Sequence, residues 1–362
     1  MTTFNEFDQF NEAKKFDDSK TGVKGLLDSG LTTIPRIFIH PPETLSGINP
    51  VNRKPGSDHV IPTIDLSGVH SGDRRSTIVE EISRASRELG FFQIVNHGVP
   101  VEVLDKVING VKAFHELPTE VKKRWYRRDM VNGVNFFSNV DLFKSKAASW
   151  RDTLQIRLGS NLAEIPEIPE VCREEVMDWS EEAVQVAELL MELLCEGLAV
   201  KSSTLKEMSC LEGRVMVGHY YPHCPQPDLT VGITSHTDPG VLTLLLQDSI
   251  GGLQVRHGDE WVDVTPVPGA IVVNIGDILQ IMSNDEYKSV DHRVLANPSH
   301  DPRVSIAIFF NPGKRDCQYG PLPDLISPEK PAIYKQFTLV DYMKKFFSKE
   351  LDGKGLTGYF KL

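Results

Sequence analysis

Four things are scarce or missing in this 362-residue chain, and each absence removes a class of protein. Cysteine is scarce: Cys172, Cys195, Cys210, Cys224 and Cys317 are odd in number, widely spaced and without a C-x-x-C pair. That pattern excludes a disulfide scaffold and reads as free thiols in a reducing compartment. Long apolar runs are missing as well. The most hydrophobic stretch, Ala187 to Val200, is interrupted by Glu188, Glu192 and Glu196, so no transmembrane span is expected. Positive charge is outweighed, with 39 Lys and Arg against 50 Asp and Glu, a net charge of −11 and a pI near 5.5. Nucleic acid and anionic membranes are therefore not expected as partners. The one basic run, Lys122-Lys123-Arg124 with Arg127 and Arg128, reads as a solvated helix face. Finally, no period of 20 to 50 residues repeats, which excludes a solenoid or propeller. The first residues show neither a basic nor an apolar signal region, and Phe360-Lys361-Leu362 lacks the serine of the S-K-L address, so the expected location is cytoplasmic.

What is present is ordinary globular material, 40% hydrophobic and 25% charged, enough for a large core. Residues 1 to about 55 read as short helical pieces and an extended connector broken by Pro35, Pro41, Pro42, Pro50 and Pro55. A strand at Ile61–Leu66, a helix over Ser76–Leu89 stopped by Gly90 and a strand at Phe91–Val95 follow. His97, in the turn Asn96-His97-Gly98, is expected to bond nearby backbone. Helices are expected over Val101–Phe114 and Pro118–Trp125, then an irregular aromatic segment from Val131 to Ser149, then a long amphipathic helix over Ser180–Val200 with a Val184, Ala187, Leu190, Met191, Leu194, Leu198 stripe. Beyond residue 212 the texture changes to eight short strands: Arg214–Tyr220, Val231–Thr237, Val241–Gln247, Gly252–Arg256, Glu260–Val264, Ala270–Ile275, Val290–Leu295 and Arg303–Phe310. These point to an α+β chain with a jelly-roll (double-stranded β-helix) core carrying N-terminal and packing helices. The expected division is a mostly helical region 1–210, a catalytic core 211–315 and a helical tail 316–362 with a helix near Leu339–Phe347 and frayed final residues.

The chemistry concentrates between His219 and Phe310. His236 and Asp238 are two apart on an expected strand and so share a face, while Thr237 points away. His292, on a separate strand, supplies a third candidate ligand. Two imidazoles and a carboxylate on one side of a metal leave positions open, the arrangement of non-haem Fe(II) oxygenases. Arg303 and Ser305 alternate onto one face of the last strand, and no acid lies near on that face. A buried arginine needs an anionic partner, and a carboxylate ligand held by the Arg303 fork, with Ser305 and Tyr221 assisting, satisfies it. Phe309, Phe137 and Trp150 are candidate walls of a substrate pocket. A zinc hydrolase and a non-catalytic jelly-roll binding protein remain as alternatives; the first leaves Arg303 and Ser305 without a role, and the second needs no metal ligands.

These residues resemble the plant Fe(II)- and 2-oxoglutarate-dependent dioxygenases, in which H-x-D, a distant H and then R-x-S recur in order. The resemblance extends to Gly90-Phe91-Phe92-Gln93, Asn96-His97-Gly98-Val99-Pro100, Trp150-Arg151-Asp152 and Tyr221-Pro222 through Cys224-Pro225-Gln226-Pro227. Within the group, Gly22 to Gly30 and Pro35-Arg36-Ile37-Phe38 are similar to the branch of 1-aminocyclopropane-1-carboxylate oxidase homologues that includes deacetoxyvindoline 4-hydroxylase. The resemblance implies Fe(II) held by His236, Asp238 and His292, 2-oxoglutarate as cosubstrate on Arg303, Ser305 and Tyr221, O2 as oxidant, and ascorbate in support. It implies oxidation of a small metabolite with release of succinate and CO2; a largely apolar substrate is expected from the pocket stretches, and a monomer is expected. Two positions depart: His219 stands where relatives carry asparagine, and His223 where a proline or small residue is commoner. The pocket stretches show no second charged clamp.

Overall fold

A computed structural model describes residues 8–46, 48, 60–128, 133–159, 163–348 and 356–362. In chain order the strands of its two larger sheets are β1 (Thr63–Asp65), β2 (Phe91–Val95), β3 (Val134–Phe137), β4 (Asp152–Arg157), β5 (Gly213–Tyr221), β6 (Val231–His236), β7 (Leu242–Gln247), β8 (Leu253–His257), β9 (Glu260–Asp263), β10 (Ile271–Ile275), β11 (His292–Leu295) and β12 (Arg303–Asn311), and Gln318–Tyr319 pairs with Phe337–Thr338 in a separate two-stranded sheet. One eight-stranded sheet runs β1-β2-β10-β7-β12-β5-β4-β3, and a four-stranded sheet runs β6-β11-β8-β9. All eight strands expected beyond residue 212 form, with ends shifted by a residue or two. The two sheets make the expected jelly roll, whose larger sheet is extended by β1 and β2 on one side and by β3 and β4 on the other.

Each face of the large sheet has its own cover. Met216, Leu244, Leu246, Ile306 and Ile308 turn to the helices Gly72–Glu88, Val101–Glu116 and Arg173–Gly197, and all are buried in the largest apolar cluster. The last helix begins before the expected Ser180; of its expected stripe Ala187, Leu190, Met191 and Leu194 are buried, Leu198 is buried at its C-terminal cap, and Val184 is only half-buried. On the opposite face Tyr221 and Val272 pack against Ile233, Val255 and Val294 of the small sheet, which closes one end of the space between the sheets. Gly90 ends its helix at φ +62°, where a Cβ would stand 2.1 Å from the Lys288 carbonyl, so only glycine fits that turn.

Three expectations fail. The Val131–Ser149 segment, of which residues 131 and 132 lie outside the described set, is not wholly irregular: it contains β3, antiparallel to β4. Val134, Asn135, Phe136 and Phe137 are all buried, so no alternation marks them as a strand. Lys122 is not solvated but 1% exposed, with Nζ donating to the His115 carbonyl at 2.5 Å. The C-terminus does not wholly fray, because Phe360 is buried against Tyr342 and Phe337, with ring centroids 5.2 and 5.0 Å away. All five cysteines are free, and no described helix is long and apolar enough to cross a membrane.

Candidate active site

Antiparallel pairing of β6 with β11 sets His236 directly opposite His292, with ring centroids 4.2 Å apart. Each Nδ1 faces a backbone carbonyl, Thr234 at 2.8 Å for His236 and Val290 at 3.2 Å for His292. A carbonyl only accepts, so Nδ1 carries the proton and Nε2 keeps its lone pair. Both Nε2 atoms face Asp238 Oδ1, at 3.8 and 3.6 Å. Ligand atoms of the three residues lie within 4.8 Å of one another, close enough to hold one metal ion.

Asp238 reaches this point by a different route from the expected one. β6 ends at His236, and Asp238 lies in the following turn. Its Oδ2 accepts the Thr243 hydroxyl at 2.6 Å and the Asn274 amide at 2.7 Å, which aims Oδ1 at the imidazoles. Thr237 points away, as expected, and donates to Asp277 at 3.1 Å. Burial pushes the Asp238 carboxyl up, but His292, His236 and the two hydrogen bonds outweigh it and hold the group below its usual range. Burial, and then His292, push the His236 imidazole down to about 3, so it is neutral and able to ligate at pH 7.

In the large sheet β12 pairs with β5, placing Arg303 opposite Tyr221 and Ser305 opposite His219, with Gln247 of β7 beside Ser305. Arg303 is 1% exposed, and its guanidinium donates to Ser305 Oγ at 3.1 Å and Gln247 Oε1 at 3.0 Å and lies over the Tyr221 ring. All these partners are neutral. The nearby Asp248 is turned to the backbone amides of Val304 and Ile250, at 2.5 and 3.0 Å. Arg303 Nε, Gln247 Nε2 and the Tyr221 hydroxyl are buried with no hydrogen-bond partner. A cationic fork with neutral neighbours and three orphaned polar atoms fits an anionic, oxygen-rich ligand.

The cavity between the sheets measures about 280 Å³. Phe137 and Phe309 line it; Trp150 does not. Trp150 is buried instead against Phe38, ring centroids 4.9 Å apart, with its indole donating to the His223 carbonyl at 3.1 Å. Trp150 precedes β4, and the strand's inward row, Arg151, Thr153, Gln155 and Arg157, supplies wall residues that the sequence reading missed. The absence of a second charged clamp on those stretches is thereby corrected. Arg151 is 4% exposed, gives one bond to the Gly232 carbonyl at 3.1 Å and leaves Nε without a partner. His219 also lines the cavity, with Nδ1 3.0 Å from the Thr153 hydroxyl. Burial, then Arg151 and Arg303, keep it neutral. His97, by contrast, bonds backbone at Gly269 and Val99 as expected.

The profile of the 2OG-Fe(II) oxygenase superfamily matches residues 212–312, and that of the N-terminal region of non-haem dioxygenases in morphine synthesis matches residues 61–176. The two matched regions carry the candidate metal ligands, the arginine fork and the β4 row Arg151, Thr153, Gln155 and Arg157, and the chain belongs to the 2OG-Fe(II) oxygenases. It is similar over its whole length to 1-aminocyclopropane-1-carboxylate oxidase homolog 4 of Arabidopsis thaliana, 47% identical over 98% of this chain and 99% of that protein. Deacetoxyvindoline 4-hydroxylase of Catharanthus roseus is 45% identical over 99% of this chain and 91% of that one. Among solved structures, JOX2 in complex with 2OG, Fe and JA superposes with a TM-score of 0.83 at 33% identity, covering 94% of this chain and 97% of JOX2.

Proposed function

We propose that this enzyme hydroxylates a small plant specialised metabolite of alkaloid, steroid or phenolic type in a reaction coupled to conversion of 2-oxoglutarate into succinate and CO2. One observation carries the reading: three candidate ligand atoms lie within 4.8 Å of one another, and His219, on the cavity wall with His236 and Asp238, feels the charges of both His236 and a buried arginine fork whose hydrogen-bond partners are all neutral. His236, Asp238 and His292 would hold Fe(II), and Arg303, Ser305 and Tyr221 would hold the distal carboxylate of 2-oxoglutarate. The iron, when bound, supplies O2 activation and the oxidising equivalent. The chain's part is positional. Backbone carbonyls fix both imidazoles in the ligating tautomer, Thr243 and Asn274 fix the carboxylate, and Phe137 and Phe309 present the substrate and exclude water. A zinc hydrolase has no use for the Arg303 fork, and a plain binding protein has none for the ligand cluster.

The same reading makes the protein a cytoplasmic monomer with its catalytic core over residues 211–315. The test is anaerobic addition of Fe(II) and 2-oxoglutarate, with detection of the weak visible charge-transfer band of an iron-bound oxo acid, followed by succinate release in air against a metabolite library. A band with wild type and none with Asp238→Ala supports the reading. Zinc-dependent ester or amide hydrolysis without any band overturns it.

A further inference from the structure

A second buried arginine stands beside Tyr221. Arg151 lines the cavity, is 4% exposed, and among the described residues makes one hydrogen bond, from Nη1 to the Gly232 carbonyl at 3.1 Å, with Nε left without a partner. Two acids lie near enough to act on its charge, Asp141 and Asp152. Asp152 turns its carboxylate away, to the amides of Val23 and Lys24 and the Ser138 hydroxyl, and Asp141 acts through charge alone.

Strand register places the two arginines on either side of Tyr221. Arg303 pairs with Tyr221 across β12 and β5, and Asp152 pairs with Tyr220 across β4 and β5, which brings Arg151, one residue before β4, level with Tyr221. Two strand spacings, roughly 10 Å between backbones, separate Arg303 from Arg151. Gly232, whose carbonyl holds Arg151, packs so closely on Tyr221 that a Cβ there would stand 2.8 Å from the ring. Gly232 also belongs to β6, the strand that ends at His236. The Arg151 charge accordingly acts on Tyr221, on His219 and on His236. Arg151 is therefore near both the tyrosine beside the Arg303 fork and the metal cluster.

A 2-oxo diacid carries two carboxylates, and the Arg303 fork answers one of them. We propose that Arg151 is a second cosubstrate-binding arginine, whose guanidinium holds the carboxylate of the oxo-acid end of 2-oxoglutarate while Arg303 holds the distal one. The proposal rests on the oxygenase reading above and deepens it. A five-carbon diacid spans about 5 Å between its terminal carbons and fits within the roughly 10 Å between the two backbones. A carboxylate at Arg151 gives the buried Nε a charge-assisted hydrogen bond, where an unpaired buried donor carries its full desolvation cost.

The test uses full-length protein loaded with Mn(II), with binding of 2-oxoglutarate and of pyruvate measured by calorimetry. Pyruvate has the oxo-acid carboxylate and lacks the distal one, so the two arginines leave different signatures. Arg151→Gln should weaken both acids by a similar factor, about ten- to a hundredfold, the scale of a hydrogen bond to a charged group. Arg303→Ala should weaken 2-oxoglutarate alone. Arg151→Lys should recover part of the loss for both acids, because it restores the charge without the fork. Mn(II) affinity without oxo acid and the unfolding midpoint report any structural contribution of the Gly232 bond, and both should stay near wild type. Should Arg151→Gln lack a cooperative melt, Arg151→Met, unbranched and neutral, carries the same comparison. Wild-type affinity for pyruvate in the neutral variant overturns the proposal, as does a loss confined to 2-oxoglutarate or one matched by an equal loss of Mn(II). Failure of the wild-type Mn(II) protein to bind either acid would instead count against the oxygenase reading.

Discussion

Arg303 is charged, buried and held only by neutral groups, so its removal should be felt by a ligand more than by the fold. Truncating one partner of a buried charge pair costs roughly 2 to 5 kcal/mol. At about 1.4 kcal/mol per decade, Arg303→Ala should raise the 2-oxoglutarate Kd from about thirtyfold to a few thousandfold, with Arg303→Lys between. Pyruvate, which lacks the distal carboxylate, should bind wild type and variant alike. Calorimetry with both oxo acids checks this; equal losses for the two would place Arg303 in a purely structural role. At the metal cluster, His236→Ala, Asp238→Ala and His292→Ala should each abolish succinate release while leaving the melting profile of the metal-free protein close to wild type. Asp238→Glu should fail too, since a carboxylate displaced by about 1 Å can cost on the order of a hundredfold. The groups behind the candidate ligands matter in proportion: Asn274→Ala and Thr243→Val each remove one of the two hydrogen bonds on Asp238 Oδ2 and should lower iron affinity about 10- to 100-fold, read by competition with a chelator.

Among the elements, β4 does two jobs at once. Its first residue, buried Asp152, accepts the amides of Val23 and Lys24 at 2.8 and 2.9 Å and the Ser138 hydroxyl at 2.7 Å, so it anchors the start of the Gly22–Asp28 helix. Gly22 sits at φ +69°, and a Cβ there would stand 2.6 Å from the Asp152 carboxylate. Gly22→Ala should therefore destabilise the protein by at least about 1–2 kcal/mol, the cost of left-handed backbone for alanine, with the clash added. Thermal unfolding reads the loss, and iron and 2-oxoglutarate affinities at low temperature should stay within about twofold of wild type, since neither site includes the helix. An unchanged midpoint would show that the segment adjusts around Asp152.

For the molecule as a whole, stability and ligation are separable. The apolar clusters on the two faces of the large sheet are complete without the cluster of His236, Asp238 and His292, so the apo protein should fold. Ligands that bind only the folded state should then raise its stability, by about 2.7 kcal/mol at a hundred times Kd. Mn(II) with 2-oxoglutarate should shift the unfolding midpoint upward, a chelator should reverse the shift, and His236→Ala should show none that depends on metal. A metal-free protein without a cooperative transition would contradict this.

The sequence by itself pointed to the candidate ligand cluster and the arginine fork and determined the jelly roll. His236, His292 and Arg303 stand on strands whose apolar alternation is plain, Asp238 follows two residues after the first of them, and their chemistry makes sense only together. What it did not show is which way a polar face turns. Thr153, Gln155 and Arg157 alternate with buried Leu154 and Ile156, and the same alternation describes a strand whose polar side meets solvent. Pairing of β4 with β5 turned that side into the cavity instead and brought Arg151 and Arg157 there. Trp150, one residue from Arg151, was carried under the N-terminal helices for the same reason, since its place depended on Phe38, more than a hundred residues earlier. Local pattern determines which side chains share a face, whereas only the packing of distant segments decides what that face meets.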